Sequence, residues 1–150
     1  MFGQYDPYAE YLHASLSGLG EAEEGLVPRF FVYTFEVALT SNQVLLNQRI
    51  TTNGDAPFAI RALAREKTGD FKIRLGDSEG RWYSSAGVGG TNDRVRDDCL
   101  FGDGSLPFLV SPAIIIPPAN AIPFDLEDIS GSGNTVHLAF IGHKLFRPAS

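Results

Sequence analysis

The sequence predicts an all-β protein, two antiparallel sheets packed face to face behind an N-terminal arm. Three observations lead there. From Arg29 onward apolar residues recur with period two, short turn signals interrupt them repeatedly, and only residues 7–17 carry helical spacing. A chain of 150 residues suffices for one hydrophobic core and is short for two.

The arm, residues 1–28, is acidic, rich in Tyr and Gly, and set off from the body by Val27-Pro28. Asp6-Pro7 is a good helix start, because Asp accepts from the orphan N–H groups and Pro suits the first helical position. Over residues 7–17 Tyr8, Tyr11, Leu12, Ser15 and Leu16 form one apolar stripe, and Gly18 and Gly20 supply a stop. A helix this short is marginal alone in water, so its stripe is expected to dock on its own domain or on a neighbour.

The body, residues 29–150, opens with strand-like runs at residues 30–37 and 43–50. The run 56–63 places Phe58, Ile60 and Ala62 on one face. Phe71-Lys72-Ile73-Arg74-Leu75 alternates cleanly, with Lys72 and Arg74 facing away from the apolar side. Residues 81–84 read as another short strand and residues 85–99 as a long polar loop. Turn signals fall at Asn53-Gly54-Asp55, Thr68-Gly69-Asp70, Gly76-Asp77, Glu79-Gly80, Gly102-Asp103-Gly104 and Gly131-Ser132-Gly133-Asn134.

The last third adds Phe108-Leu109-Val110, Ala113-Ile114-Ile115-Ile116, Ile122-Pro123-Phe124-Asp125-Leu126 and a final strand over residues 135–146. That strand is apolar on both faces, as expected at the centre of a sheet covered on both sides. About eight strands with Gly and Pro turns and almost no helix predict an antiparallel β-sandwich of jelly-roll type, with the short helix confined to the arm.

Composition excludes several function classes. Twelve Lys plus Arg against 18 Asp plus Glu give a formal charge of -6, which argues against nucleic acid as a partner. No apolar run approaches the roughly 20 residues that cross a bilayer, so no membrane partner is expected. The N-terminus shows no basic region followed by an apolar one, and the single Cys99 allows no intrachain disulfide; both fit synthesis in a reducing cytoplasm.

A search for chemistry yields little, and neither enzymatic activity nor a cofactor is expected. His137 and His143 share a face of the final strand but lie six residues apart, roughly 20 Å at the usual strand rise, too far to share a metal; His13 lies in the arm. Cys99 follows Asp97-Asp98, whose carboxylates disfavour a thiolate, so a buried apolar role is expected. Gly87-Val88-Gly89-Gly90-Thr91 lacks the Lys and the following helix of a phosphate loop. Asp125, Glu127 and Asp128 match no EF-hand spacing and read as a solvated turn without a metal. Trp82 reads as a core anchor, although Trp82 and Tyr83 could form an aromatic platform for a glycan or receptor. Interaction residues are expected instead in the loop at Val88, Asn92 and Arg94, and in the arm at Phe2, Tyr5, Tyr8, Tyr11, Leu12 and Leu16.

Several stretches carry a resemblance. Pro112-Ala113-Ile114-Ile115-Ile116-Pro117-Pro118, Ala121-Ile122-Pro123-Phe124-Asp125-Leu126, the turn Ser130-Gly131-Ser132-Gly133-Asn134 and the closing Phe140-Ile141-Gly142-His143-Lys144 resemble small virion proteins of tailed phages. Asp70-Phe71-Lys72-Ile73 and Gly80-Arg81-Trp82-Tyr83-Ser84 extend the likeness, which spans about residues 30–146 and leaves out the arm. The resemblance implies a jelly-roll cement or decoration protein, a homotrimer in the virion that binds between major capsid proteins. A neck, tail or baseplate adaptor is the alternative within the same class.

Overall fold

A computed structural model describes residues 25–88, 90 and 93–148. The arm residues Phe2, Tyr5, Tyr8, Tyr11, Leu12 and Leu16, the helix expected over 7–17 and the loop residue Asn92 lie outside the described residues. The described chain holds β1 (Val27–Leu39), β2 (Val44–Thr51), β3 (Phe58–Lys67), β4 (Phe71–Leu75), β5 (Val95–Arg96), α1 (Asp97–Leu100), β6 (Phe108–Ile116), β7 (Ala121–Asp128) and β8 (Asn134–Phe146).

The strands form two antiparallel four-stranded sheets, ordered β1-β8-β3-β6 and β2-β7-β4-β5. Four pairings, β1 with β8, β2 with β7, β3 with β6 and β4 with β5, nest inside one another about the β4–β5 connection. Period-two patterning places the core between the sheets. Phe71, Ile73 and Leu75 of β4 are buried, whereas Lys72 and Arg74 are only half-buried. Phe58, Phe71, Phe124 and Phe140 are fully buried, and Phe124 meets Phe35 edge to face at 4.7 Å between ring centres.

A bulge in β3 changes which residues face the core. Arg61 is the extra residue between Ile60, opposite Gly142, and Ala62, opposite Ile141. The inward series is therefore Phe58, Ile60 and Leu63, and Ala62 moves to the other side, which corrects the expected Phe58–Ile60–Ala62 face. The bulge also brings backbone onto β8: a Cβ on Gly142 would overlap the Ala59 carbonyl oxygen. In β2, Leu46 and Asn47 oppose Asp125 alone, and Asn47 adopts φ 58°, a left-handed conformation that Asn tolerates better than most residues.

Other expectations need correction. Residues 81–84 form no strand; Trp82 makes one isolated bridge to Gly76. The polar loop over 85–99 instead closes with β5 and α1. β8 is central, between β1 and β3, but its outer face is open: His137 is exposed, and Ala139, Ile141 and His143 are half-buried.

Candidate functional site

Among the buried polar groups of the described residues, Asp125, the pair Asp128 and Asn134, and Asp97 centre three networks, and each ties a turn or bulge to a sheet. Asp125, 1% exposed, accepts from Arg74 Nη2 at 2.6 Å and Nε at 3.1 Å, and from the Asn47 amide at 2.9 Å. The β2 bulge is thus pinned by a carboxylate that also fixes an arginine. Arg74 in turn reaches Asp93 at 2.7 Å and lies over the Trp82 ring, 3.7 Å from its centre.

Asp128 and Asn134 bind three turns together. The Asp128 carboxylate accepts from the Asn42 amide at 2.8 Å, the Ser130 hydroxyl at 2.6 Å and the Asn134 amide group at 3.1 Å. Asn134 also donates to the Gly69 carbonyl at 2.8 Å and accepts from the Gly69 N–H at 3.0 Å. Burial opposes ionisation of Asp128, but the bonds from Ser130, Asn42 and Asn134 pull its carboxyl well below the ordinary range. The expected solvated turn is thereby corrected, since Asp125 and Asp128 are both buried. Glu127 points elsewhere, with Arg94 Nη1 at 3.8 Å.

The third network surrounds α1. Asp97, fully buried, accepts from Arg65 Nε at 2.7 Å, Lys67 Nζ at 2.6 Å and the Phe71 amide at 3.2 Å. Lys67 Nζ also touches Asp70 at 2.6 Å and Asp98 at 3.0 Å. Asp70, Asp97 and Asp98 could in geometry hold a metal ion, with ligand atoms within 4.8 Å of one another. The protein's own ammonium already sits among them, so their charge is neutralised from within and the cluster reads as structural. Hydrogen bonds from Lys67 and Arg65 hold Asp98 down to about 2.

These carboxyls set the acid response. Asp98 and Asp128 titrate lower in the folded chain than in the unfolded one, where Asp has its ordinary value near 3.9. The stabilisation is complete above about pH 5 and is lost as pH falls through the unfolded value toward the folded ones. The urea midpoint is expected to decline slightly below about pH 6.5, where the unfolded chain's His143 takes a proton that the folded chain disfavours, and to fall steadily from about pH 5 toward pH 2. A midpoint that rises on acidification would contradict this assignment.

The residues singled out from sequence for chemistry are dispersed. His137 Nε2 meets Glu36 at 2.7 Å on the outer face of the β1-β8-β3-β6 sheet. His143 accepts from Arg61 Nε through Nδ1 at 3.2 Å, and burial beside that cation lowers its imidazole below the ordinary value. Cys99 is exposed rather than buried, because α1 turns it outward. Trp82 is 37% exposed and not a core anchor; Arg74 covers one of its faces. In the loop Val88 projects fully into solvent, while Arg94 is largely covered and directed to Glu127.

Among the described residues, two larger open hollows stand out. One, about 440 Å³, lies on the outer face of the β1-β8-β3-β6 sheet, floored by Ala64 and Ala139 and rimmed by Glu36, Glu66, Asp103 and His137. The other, about 450 Å³, lies where β6 parts from the short edge at β5, lined by Leu63, Leu75, Tyr83, Leu100, Phe108 and Ile115. Neither gathers a nucleophile, a base and an orienting group, the minimum for catalysis.

The fold and its buried polar groups define a class: an antiparallel two-sheet β protein whose described buried ionic chemistry holds turns in place. No family model, curated protein or solved structure matches the chain. Among the described residues no helix is long and apolar enough to cross a membrane.

Proposed function

We propose that the chain is a structural virion protein of a tailed phage, a jelly-roll module that stabilises the capsid by binding between major capsid proteins. The observation that carries this reading is the strand order. Pairs β1–β8, β2–β7, β3–β6 and β4–β5 nest as one long hairpin rolled into two sheets, the arrangement of eight-stranded jelly rolls, which recur in viral shells. The same scaffold serves lectins and other functions, so the virion assignment rests on the sequence resemblance together with this topology.

The interior chemistry agrees with a structural role. The buried carboxylates are used by the protein itself, and described surface features such as Val88 and Phe30 offer apolar contact. Repeated over a symmetric shell, contacts that are weak singly become firm through multivalency. On assembly the arm residues Phe2, Tyr5, Tyr8, Tyr11, Leu12 and Leu16 dock on a neighbouring subunit, with self-association as a homotrimer. The test is abundance in purified particles: a cement protein approaches the copy number of the major capsid protein, and a neck, tail or baseplate adaptor is present only as a ring.

A further inference from the structure

We infer that the turn between β2 and β3 carries a site of spontaneous covalent modification, Asn53, which converts to aspartate and isoaspartate through a cyclic imide. This goes beyond the virion reading and does not depend on it. Ring closure needs a carboxamide free to rotate, a following backbone nitrogen that no acceptor holds, and no side chain beside that nitrogen to crowd the approach. Asn53 is the one asparagine in the chain that precedes glycine.

The turn meets each need. Asn53, Gly54 and Asp55 are exposed, and neither the Asn53 carboxamide nor the Gly54 N–H bonds any other described residue. A Cβ on Gly54 would meet the Ala119 Cβ at 3.9 Å and nothing nearer among the described residues, so the nitrogen is open to approach. The Asn53 N–H donates to the Tyr33 hydroxyl at 2.9 Å, and its carbonyl accepts from the Ala119 N–H at 3.0 Å. The main chain is thereby placed while the carboxamide is left to swing. The other described asparagines lack this combination. Asn134 commits its side chain to Gly69, Asp70 and Asp128. The Asn120 carboxamide oxygen already accepts, at 3.0 Å, from the Ala121 N–H that would have to attack. Asn42 and Asn47 precede glutamines, whose side chains crowd the ring.

The step balances with water as the only co-reactant. The Gly54 nitrogen gives up its proton and attacks Asn53 Cγ; the new N–Cγ bond forms, the Cγ–Nδ2 bond breaks, and ammonia leaves. Water then opens the imide. Attack at Cγ gives aspartate, and attack at the α-carbonyl gives isoaspartate, whose main chain runs through Cγ and is one carbon longer. Nothing is oxidised or reduced. Either product adds one negative charge to a chain of formal charge -6, beside Asp55, whose carboxylate lies 2.9 Å from the nearly buried Lys144 Nζ. In isoaspartate the carbonyl that accepted from Ala119 becomes a carboxylate off the main chain. The bond that ties this turn to the one between β6 and β7 then loses its fixed geometry.

Ageing the full folded chain at mildly alkaline pH, followed by peptide mapping with mass spectrometry, tests this. Digestion in heavy-oxygen water separates conversion during ageing from conversion during handling. Asn53 is expected to convert at least about tenfold faster than Asn42, Asn47, Asn120 or Asn134, with both aspartate and isoaspartate among the products. Gly54→Ala, at a position without a left-handed φ, should fold and slow the conversion at least about tenfold. Asn53→Gln is the second variant, should the first fail in urea unfolding; it would have to close a larger ring and should stay unconverted over the same period. In the aged protein the Ala119 amide should exchange with solvent several-fold faster than in the fresh one. Conversion at Asn53 no faster than at the other four, aspartate without isoaspartate, or an unchanged rate in either variant would overturn the inference.

Discussion

Replacing Gly142 with alanine is expected to destabilise the protein by about 3 kcal/mol, the upper end for overpacking, or to prevent folding. The added Cβ would overlap the Ala59 carbonyl oxygen, a backbone atom in the adjacent central strand that cannot rotate away. Ala59 lies there because the Arg61 bulge crowds β3 against β8, and the two strands are paired on both sides of it. With a urea slope of about 2 kcal/mol per M, the midpoint should fall by about 1.5 M. An unchanged midpoint would mean that the bulge does not press on Gly142. Gly131→Ala is a useful contrast, since its φ of 77° strains an alanine although a Cβ there meets nothing within 4 Å; its expected loss is nearer 1 kcal/mol.

Asp97→Ala carries the second large effect, a loss of about 2–3 kcal/mol. The substitution leaves the buried Phe71 amide without its acceptor and removes the carboxylate shared by Arg65 and Lys67. Those cations are 14% and 18% exposed and keep Asp98 and Asp70, which places the loss below that of a fully buried charge. Asp97→Asn should lose less, because an amide oxygen can still accept from Phe71. Lys67→Met in the Asp97→Ala background should recover part of the loss, giving a coupling of at least about 1 kcal/mol in a double-mutant cycle. Strict additivity would show that the three groups do not act as one network.

The architecture was legible from periodicity where one face of a strand is apolar and the other polar. Phe71-Lys72-Ile73-Arg74-Leu75 is the cleanest case, and it became β4 with the expected faces. Periodicity misleads where one residue breaks it: Arg61 is polar in an apolar run, yet nothing in its neighbours announces a bulge, and strict alternation puts Ala62 on the face opposite to the one it occupies. Size alone points Trp82 inward, whereas Gly76 approaches it closely and Arg74 stacks on it from outside.

The buried ionic networks were the least visible part. Asp97, Asp125 and Asp128 look like surface acids, and their partners Lys67, Arg74 and Asn134 lie 30, 51 and 6 residues away or are hidden in a turn motif. A signal was present: Arg65, Lys67, Lys72 and Arg74 alternate along β3 and β4, consecutive strands in different sheets, and long cations beside a core invite carboxylates to meet them. Asn134 closes a Gly-Ser turn, where a side-chain amide that can bond several backbone groups is most useful.

The central claim is best tested by counting copies of this chain against the major capsid protein in purified phage particles, by quantitative mass spectrometry with labelled standards. A ratio near that of one cement trimer per capsomer junction is the predicted result. Absence of the chain from the particles, or a ring-sized number of copies, would contradict a shell-stabilising role.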